Sequence, residues 1–401
     1  MEIGILGLTF NSGNKGCEAL SYSFLQLLNK VAEINKEKII VNLLVPLPTR
    51  LLIKNRFAIS TIKKMYFPSE NYTLLSFNCL FYVYKNKKVY FLNSIRKCKC
   101  VFDYTAGDSF TDIYGKDRFY TRTRCKLAVI EQGIPLILGS QTIGPFNDER
   151  VKQMAIDVIN RATEVYVRDK LSYDYTRQIS GRTPKLTSDI AFALPYREPQ
   201  KSDIVRIGFN PSGLLWSGGY TQDNQFDLTV DYQQYCRTVI DELLQREYEV
   251  HLIPHAFTED QNSKDNDYIA VNALHKEFPD TIVCDGFRTP MEIKSYIAGM
   301  NAFIGARMHA TIAAFSAEVP VIPFSYSRKF EGLFDSLDYP FVIHGKGYST
   351  DIACKKTLYY IENRNKLQTE MQAGCKKTKE SLVYISDEIR RILFSSDEYR
   401  G

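Results

Sequence analysis

Arg307, Met308 and His309 stand between an apolar run, Asn301–Ala306, and a small-residue stretch that ends at Val319-Pro320. The order reads as strand, charged turn, helix, turn and second strand, the last leading to Tyr326 and Lys329. A guanidinium and a titratable imidazole then fall at a helix N-terminus, just past a strand's carboxyl end. In open α/β sheets ligands bind at that edge. Free backbone N–H groups and the helix dipole favour an anion there. Arg307 and His309 alternate on what reads as an extended turn, so both side chains point the same way. Lys329 is expected to reach the same anion from the end of the next strand. His255, after the strand Val250–Pro254, shares the edge. The chemistry would be the holding of a phosphate or carboxylate beside a proton donor.

Three other stretches carry candidate groups. Asn11–Glu18 follows the first strand and opens a helix, and its glycines let backbone amides approach a ligand. It lacks G-x-G-x-x-G, so a dinucleotide fingerprint is not supported. Asp103–Gly115 holds three carboxylates; Asp108, directly after Gly107, is expected to bind a sugar hydroxyl or act as a base. Asp112 reads as a cap or turn residue. These carboxylates have capping roles open to them, and no metal is expected. Arg168 follows the strand Glu164–Val167 and suits an anion clamp, with Asp169 its ion-pair partner or the cap of the next helix. Taken singly, each group also has a structural explanation as a βα turn, a cap or an ion pair; their convergence on one edge carries the functional reading.

The elements that must position them alternate strand and helix. Ile3–Leu8, Lys38–Leu44, Cys100–Tyr104, Pro135–Gly139 and Glu164–Val167 read as strands, with helices near Cys17–Asn29 and Val151–Arg161. A second set runs from Val205–Phe209 through a helix at Tyr232–Gln245 and a strand at Tyr248–Pro254. It continues with helices at Ser263–Glu277 and Pro290–Gly299, around a strand at Thr281–Cys284. This alternation argues for α/β architecture with parallel sheets. The chain has 401 residues, too many for one ordinary core. The expected division is 1–195, then 203–350, with Tyr196–Asp203 as linker and 351–401 as a helical tail that either packs back across the first domain or stays solvated.

Net charge is +5 and unevenly spread. Arg50 to Cys100 holds eleven basic residues and one acidic, Glu70, so that segment is +10 and the remainder −5. Aromatics are interleaved with these charges, from Phe57 to Phe91. Such an insert, about 50–100, suits an anionic membrane face or a lipid-phosphate acceptor. The nucleic-acid alternative has no accompanying motif, and the insert also reads as a solvated segment with buried aromatics. No apolar run reaches the roughly 20 residues needed to span a bilayer. MEIGILGLTF lacks a basic n-region and reads as a first strand, not a signal peptide. Nine scattered cysteines read as free thiols of a reducing cytosol.

The ordered blocks NKGCEAL, AGDSFTDIYG, SQTIGPF, VRDKLS, SDIAFAL, IGFNPSG, the strand ending in IPH, and FIGARMHA…VPVIPFSYSRK resemble the polysaccharide pyruvyl transferase family. The resemblance covers most of the chain. It departs at Thr105-Ala106, where the family has glycines, and at Cys17, where an acidic residue is common. It implies two Rossmann-like domains facing a cleft, as in GT-B glycosyltransferases. It also implies transfer of pyruvate from phosphoenolpyruvate to two hydroxyls of a saccharide acceptor, lipid-linked or not, with no cofactor. By that resemblance His309 is the general acid and Asp108 positions or deprotonates the acceptor. Arg168, Arg307 and Lys329 hold the donor's anions, and Met308, Asn14, Gly16, His255, Gln141 and Tyr326 line the substrate. The enzyme would be cytoplasmic and meet the inner membrane through the basic insert. The rival readings are a GT-B glycosyltransferase using a nucleotide sugar, and a non-catalytic sensor or scaffold.

Overall fold

The computed structural model describes residues 1–10, 13–46, 74–82, 88–199, 204–257 and 263–394. The chain forms two compact units. The first comprises Met1–Phe10, Leu20–Ile190 and Ser381–Gly401, the second Asn11–Ala19 and Ala191–Glu380.

The first unit is built on a seven-stranded sheet. Its strands are β1 (Glu2–Leu6), β2 (Ile39–Pro46), β3 (Leu75–Tyr82), β4 (Val101–Asp103), β5 (Leu136–Gln141), β6 (Glu164–Val167) and β7 (Lys185–Leu186). Their spatial order is β3-β2-β1-β4-β5-β6-β7, and every pairing is parallel. The helices α1 (Lys15–Asn35), α2 (Lys88–Ile95), α3 (Lys116–Glu131), α4 (Glu149–Arg161) and α5 (Lys170–Ser180) make the crossovers. Strands covered on both faces read as continuous apolar runs, and in β5 all six residues are buried. Asp148 caps α4 by accepting from the N–H groups of Arg150 and Val151, and Gly181 ends α5 in the left-handed region.

The second unit repeats the plan with six strands: β8 (Arg206–Asn210), β9 (Glu249–Leu252), β10 (Ile282–Val283), β11 (Ala302–Gly305), β12 (Val321–Ser325) and β13 (Ile343–His344). Their order is β10-β9-β8-β11-β12-β13, again all parallel. The helices here are α6 (Gly213–Trp216), α7 (Tyr232–Gln245), α8 (Tyr268–Glu277), α9 (Pro290–Ile297), α10 (Met308–Ser316), α11 (Arg328–Ser336) and α12 (Thr350–Glu362). The last helix, α13 (Arg364–Phe394), passes from the second unit into the first. In both sheets the order reverses between the first strand and the fourth, which is where a doubly wound sheet opens a crevice at its carboxyl edge.

Two expectations change. The division falls at Ile190/Ala191, ahead of the polar stretch read as a linker: within the second unit Lys294 donates to the Leu194 carbonyl at 2.7 Å and the Arg197 N–H to Ser295 Oγ at 3.0 Å, while residues 200–203 lie outside the described residues. Asn11–Ala19, expected in the first domain, groups with the second unit. The tail is shared, and its final part packs on the first unit. There Tyr166 donates to Glu388 at 2.6 Å, Arg391 to Glu164 at 2.5 Å, and Lys99 to the Leu393 carbonyl at 2.8 Å. Burial would raise the Glu388 carboxyl, but the bonds it accepts from Arg391 (2.9 Å), Lys185 and Tyr166 outweigh this and hold it down at about 2.

Part of the expected insert belongs to the sheet: β3, with the strand-competent sequence LSFNCLFY, pairs along β2 from Leu75 to Tyr82. Residues 47–73 and 83–87, which carry most of the basic cluster read as membrane-facing, lie outside the described residues. Among the described residues no helix is long and apolar enough to cross a membrane, and no cluster of metal-ligating side chains occurs.

Candidate functional site

In the first unit the carboxyl edge at the β1/β4 reversal is shaped by close backbone approach. Gly7 has φ +76°, and a Cβ there would lie 2.3 Å from the Thr105 nitrogen. The chain then passes through Thr105, Ala106 and Gly107 at φ 42°, 53° and 86°. A left-handed conformation costs a non-glycine residue about 1–2 kcal/mol, and this is where the chain departs from the family's glycines. Local bonds hold it: Ala106 N–H to the Gly7 carbonyl at 2.7 Å, and Thr105 Oγ1 to Asp103 Oδ2 at 2.5 Å. Asp103 also pairs with the buried Lys126 at 3.2 Å. Gln141, expected to line the substrate, is fully buried and braces the turn: its Nε2 donates to the Asp103 carbonyl at 2.9 Å.

This strained turn delivers Asp108. Beside it lies Arg168, whose Nη1 is 3.1 Å from where a Gly107 Cβ would sit. Arg168 is buried and donates from Nε to Thr142 Oγ1 at 2.9 Å and from Nη1 to Asp189 at 2.6 Å. Burial alone would lower its pKa, but Asp189, Asp108 and Asp169 outweigh it, so the charge is retained. Its Nη2 is buried with no protein acceptor among the described residues, a donor suited to an incoming anion. Asp169 caps α5 by accepting from the Ser172 N–H at 2.7 Å. Asp112 accepts from the N–H groups of Asn147 and Asp148 and so holds that turn.

In the second unit two adjacent parallel strands each feed a helix whose second residue carries chemistry. β11 leads to α10 with His309, and β12 to α11 with the half-buried Lys329. His309 is therefore inside a helical first turn and not on an extended one; only Arg307, the N-cap, is extended, at φ −105° and ψ 123°. The start of α1 packs on the imidazole: a Cβ on Gly16 would lie 2.4 Å from His309 Nδ1. Gly16 is thus required by the room His309 takes. Asn14 sets that turn by accepting from the N–H of Gly16 at 3.0 Å, and the Lys15 N–H donates to the His255 carbonyl at 3.1 Å. Lys15 is buried and donates to both Glu18 oxygens, at 3.0 and 2.9 Å.

Arg307 does not present an open clamp. Its Nε and Nη2 donate to Asp267 Oδ1 at 2.9 and 2.7 Å, its Nη1 to Asp265 at 2.6 Å, and Nη2 also to the Asp265 carbonyl at 2.8 Å. A buried guanidinium must be paired, and the chain supplies the acceptors itself. Burial opposes the charge, yet Asp267 and Asp265 more than compensate and hold the pKa above its usual range. Asp267, fully buried, also accepts from the N–H groups of Gly213, His255 and Ala256, so one carboxylate organises the whole edge. Asn210, at the end of β8, accepts from the Arg307 N–H at 3.0 Å. His255 is buried; desolvation first, then the charges of His309, Arg307 and Lys15, push its imidazole down to about 3. It is neutral and serves this edge as a packed wall. Met308 and Tyr326 are also buried, the latter with its ring against Phe226 and Phe330.

The expected residues thus gather in two sets: Asp108, Arg168 and Gln141 in the first unit, and Asn14, Gly16, His255, Arg307, Met308, His309, Tyr326 and Lys329 in the second. Sequence reasoning missed Asp189, Asn210, Lys15, Glu18 and Asp267. Asp189 and Asn210 lie in the blocks SDIAFAL and IGFNPSG and were within reach. Asp267 resembles any N-cap aspartate before a helix, and only tertiary position turns its carboxylate away from capping.

Comparisons with known proteins agree with this frame. Among solved structures, UDP-GlcNAc 2-epimerase from Neisseria meningitidis bound to UDP-GlcNAc is similar with a TM-score of 0.56 at 10% identity, over 97% of this chain and 99% of that one. UDP-GlcNAc 2-epimerase from Methanocaldococcus jannaschii gives 0.55 at 9%, over 96% and 99%. TcCGT1 in complex with UDP gives 0.53 at 11%, over 98% and 99%. These likenesses show a GT-B-like fold. The amylovoran biosynthesis protein AmsJ of Erwinia amylovora is 22% identical over 254 residues, 58% of this chain and 58% of that protein. The match therefore spans less than two thirds of that relative. The profile of polysaccharide pyruvyl transferases matches residues 14–328, well over half the chain, and the chain belongs to that family.

Proposed function

We propose that the chain transfers pyruvate from phosphoenolpyruvate to two hydroxyls of one sugar, in a surface polysaccharide or its lipid-linked precursor. The carrying observation is His309, seated against Gly16 in the first turn of α10 and flanked by the next helix start bearing Lys329. His309 protonates the donor's methylene carbon, which makes C2 electrophilic. An acceptor hydroxyl adds at C2 and gives up its proton, the role the family resemblance assigns to Asp108. The second hydroxyl then displaces phosphate from C2 and closes the ketal; its proton leaves with the phosphate, and the proton taken up by the base replaces the one His309 gave. The balance is one donor and two hydroxyls in, one cyclic ketal and one phosphate out.

Lys329 and the buried, partly unsatisfied Arg168 hold anionic groups, in keeping with charge-assisted recognition of phosphate and carboxylate. Arg307 contributes a fixed positive field and the shape of the edge, since four of its five N–H donors are already engaged. No cofactor enters this scheme. A cytoplasmic enzyme would meet a lipid-linked acceptor at the inner membrane, and the basic segment about 50–100 suits that encounter. Thermal shift with phosphoenolpyruvate and with a panel of nucleotide sugars tests the donor. Stabilisation by phosphoenolpyruvate is expected; stabilisation by a nucleotide sugar alone would instead indicate a glycosyltransferase.

A further inference from the structure

Just past the strained turn, the first unit carries a cluster that the donor chemistry does not use. Tyr114 donates its phenol to Asp108 Oδ2 at 2.9 Å. Ser109 Oγ lies 3.5 Å from Asp108 Oδ1 and accepts from Arg118 Nη2 at 2.9 Å. The same Arg118 guanidinium lies over the Tyr114 ring, 5.1 Å from its centroid. Tyr114 is 36% exposed and Ile113 beside it 54% exposed. Both lie on the βα loop between β4 and α3, at the carboxyl edge of the sheet where ligands bind. Here they stand in solvent beside a carboxylate, on a segment whose other aspartate, Asp112, is spent on holding the turn.

A carboxylate that accepts two hydroxyls, beside an accessible aromatic ring, is a surface matched to a pyranose. The sugar's C–H face packs on the ring, and its hydroxyls meet the carboxylate. Aromatic rings suit such a role because they are apolar on the face and polar at one end. The guanidinium stacked on Tyr114 fixes the ring's orientation and occupies one side of it. The phenol's bond to Asp108 in turn fixes the carboxylate.

We propose that Tyr114, Arg118 and Asp108 form the saccharide-acceptor subsite, with Tyr114 as both stacking platform and positioning residue for Asp108. This rests on the pyruvyl-transfer reading for the role of Asp108. The full chain is titrated with methyl β-D-galactopyranoside, methyl β-D-glucopyranoside and the methyl glycoside of N-acetylmannosamine, followed by saturation-transfer NMR. Phosphoenolpyruvate binding is measured in parallel. At least one glycoside is expected to bind, at least about tenfold more weakly to Tyr114→Ala, and near normally to Tyr114→Trp, which keeps a platform. Tyr114→Phe keeps saccharide affinity and KM but lowers kcat, because only the bond to Asp108 is lost. Equal glycoside affinity in wild type and Tyr114→Ala overturns the proposal, as does glycoside binding by neither. Phosphoenolpyruvate binding unchanged throughout separates that failure from a failure of the donor reading, which would show as no phosphoenolpyruvate binding in the wild type.

Discussion

Gly16→Ala is the sharpest perturbation the structure offers, because it adds one methyl group at a place that only His309 explains. The new Cβ would sit 2.4 Å from Nδ1, 2.7 Å from Cγ and 2.8 Å from Cβ of that histidine. Ordinary contact begins near 3.4 Å, so the imidazole must retreat by about 1 Å. Misplacing a reacting group by that much costs on the order of a hundredfold in rate, and losing a positioned general acid costs about 10²–10⁴. The helix itself should tolerate the change, since alanine is intrinsically favoured over glycine by roughly 1 kcal/mol in a helix. The expected outcome is a kcat lowered at least about a hundredfold, with phosphoenolpyruvate affinity and the denaturation midpoint near wild type. Turnover is read from phosphate release with a competent acceptor. Gly347→Ala is the control, because its Cβ would meet only His344 at 3.7 Å. Wild-type turnover in Gly16→Ala would refute the placement of His309 at the chemistry.

Arg307→Ala should act on stability before it acts on binding: it leaves Asp267 buried and uncompensated, a loss of about 3–5 kcal/mol by chemical denaturation. An unchanged midpoint with lost phosphoenolpyruvate affinity would restore the open-clamp reading. Lys294, buried against the Leu194 carbonyl, is held down at about 7 by desolvation. The folded state then binds fewer protons than the unfolded one between about pH 7 and 10. Wild-type stability should therefore rise with pH across that window relative to Lys294→Met, by an amount of order a few kcal/mol. Parallel pH curves for the two proteins would contradict this.

Much of this was legible in the sequence because parallel strands buried on both faces announce themselves as apolar runs. Glu164–Val167 and the helix Tyr232–Gln245 coincide with the observed elements, and the carboxyl edge of each sheet follows from the βα order. The helix at Lys116–Glu131 escaped notice because its sequence, KDRFYTRTRCKLAVIE, is polar over most of its surface and has weak apolar periodicity. At the site, residue types pointed correctly to charge and to a proton donor, but not to how each charge is paired. Arg307 looks like an open cation after a strand. What closes it is Asp267, forty residues away in sequence, whose carboxylate meets Arg307 only once β8, β9 and β11 are side by side. Likewise Gly16 reads as an ordinary turn glycine until the fold brings His309 against it.

The most direct test of the central claim is to incubate the purified chain with phosphoenolpyruvate and a panel of β-galactosides, glucosides and N-acetylmannosaminides, and to follow the products by mass spectrometry. Pyruvyl transfer yields an acceptor that gains one pyruvate less one water, with one phosphate released per ketal, and no such product from His309→Ala. Ketal formed at the wild-type rate by His309→Ala, or glycosyl transfer from a nucleotide sugar with no product from phosphoenolpyruvate, would contradict it.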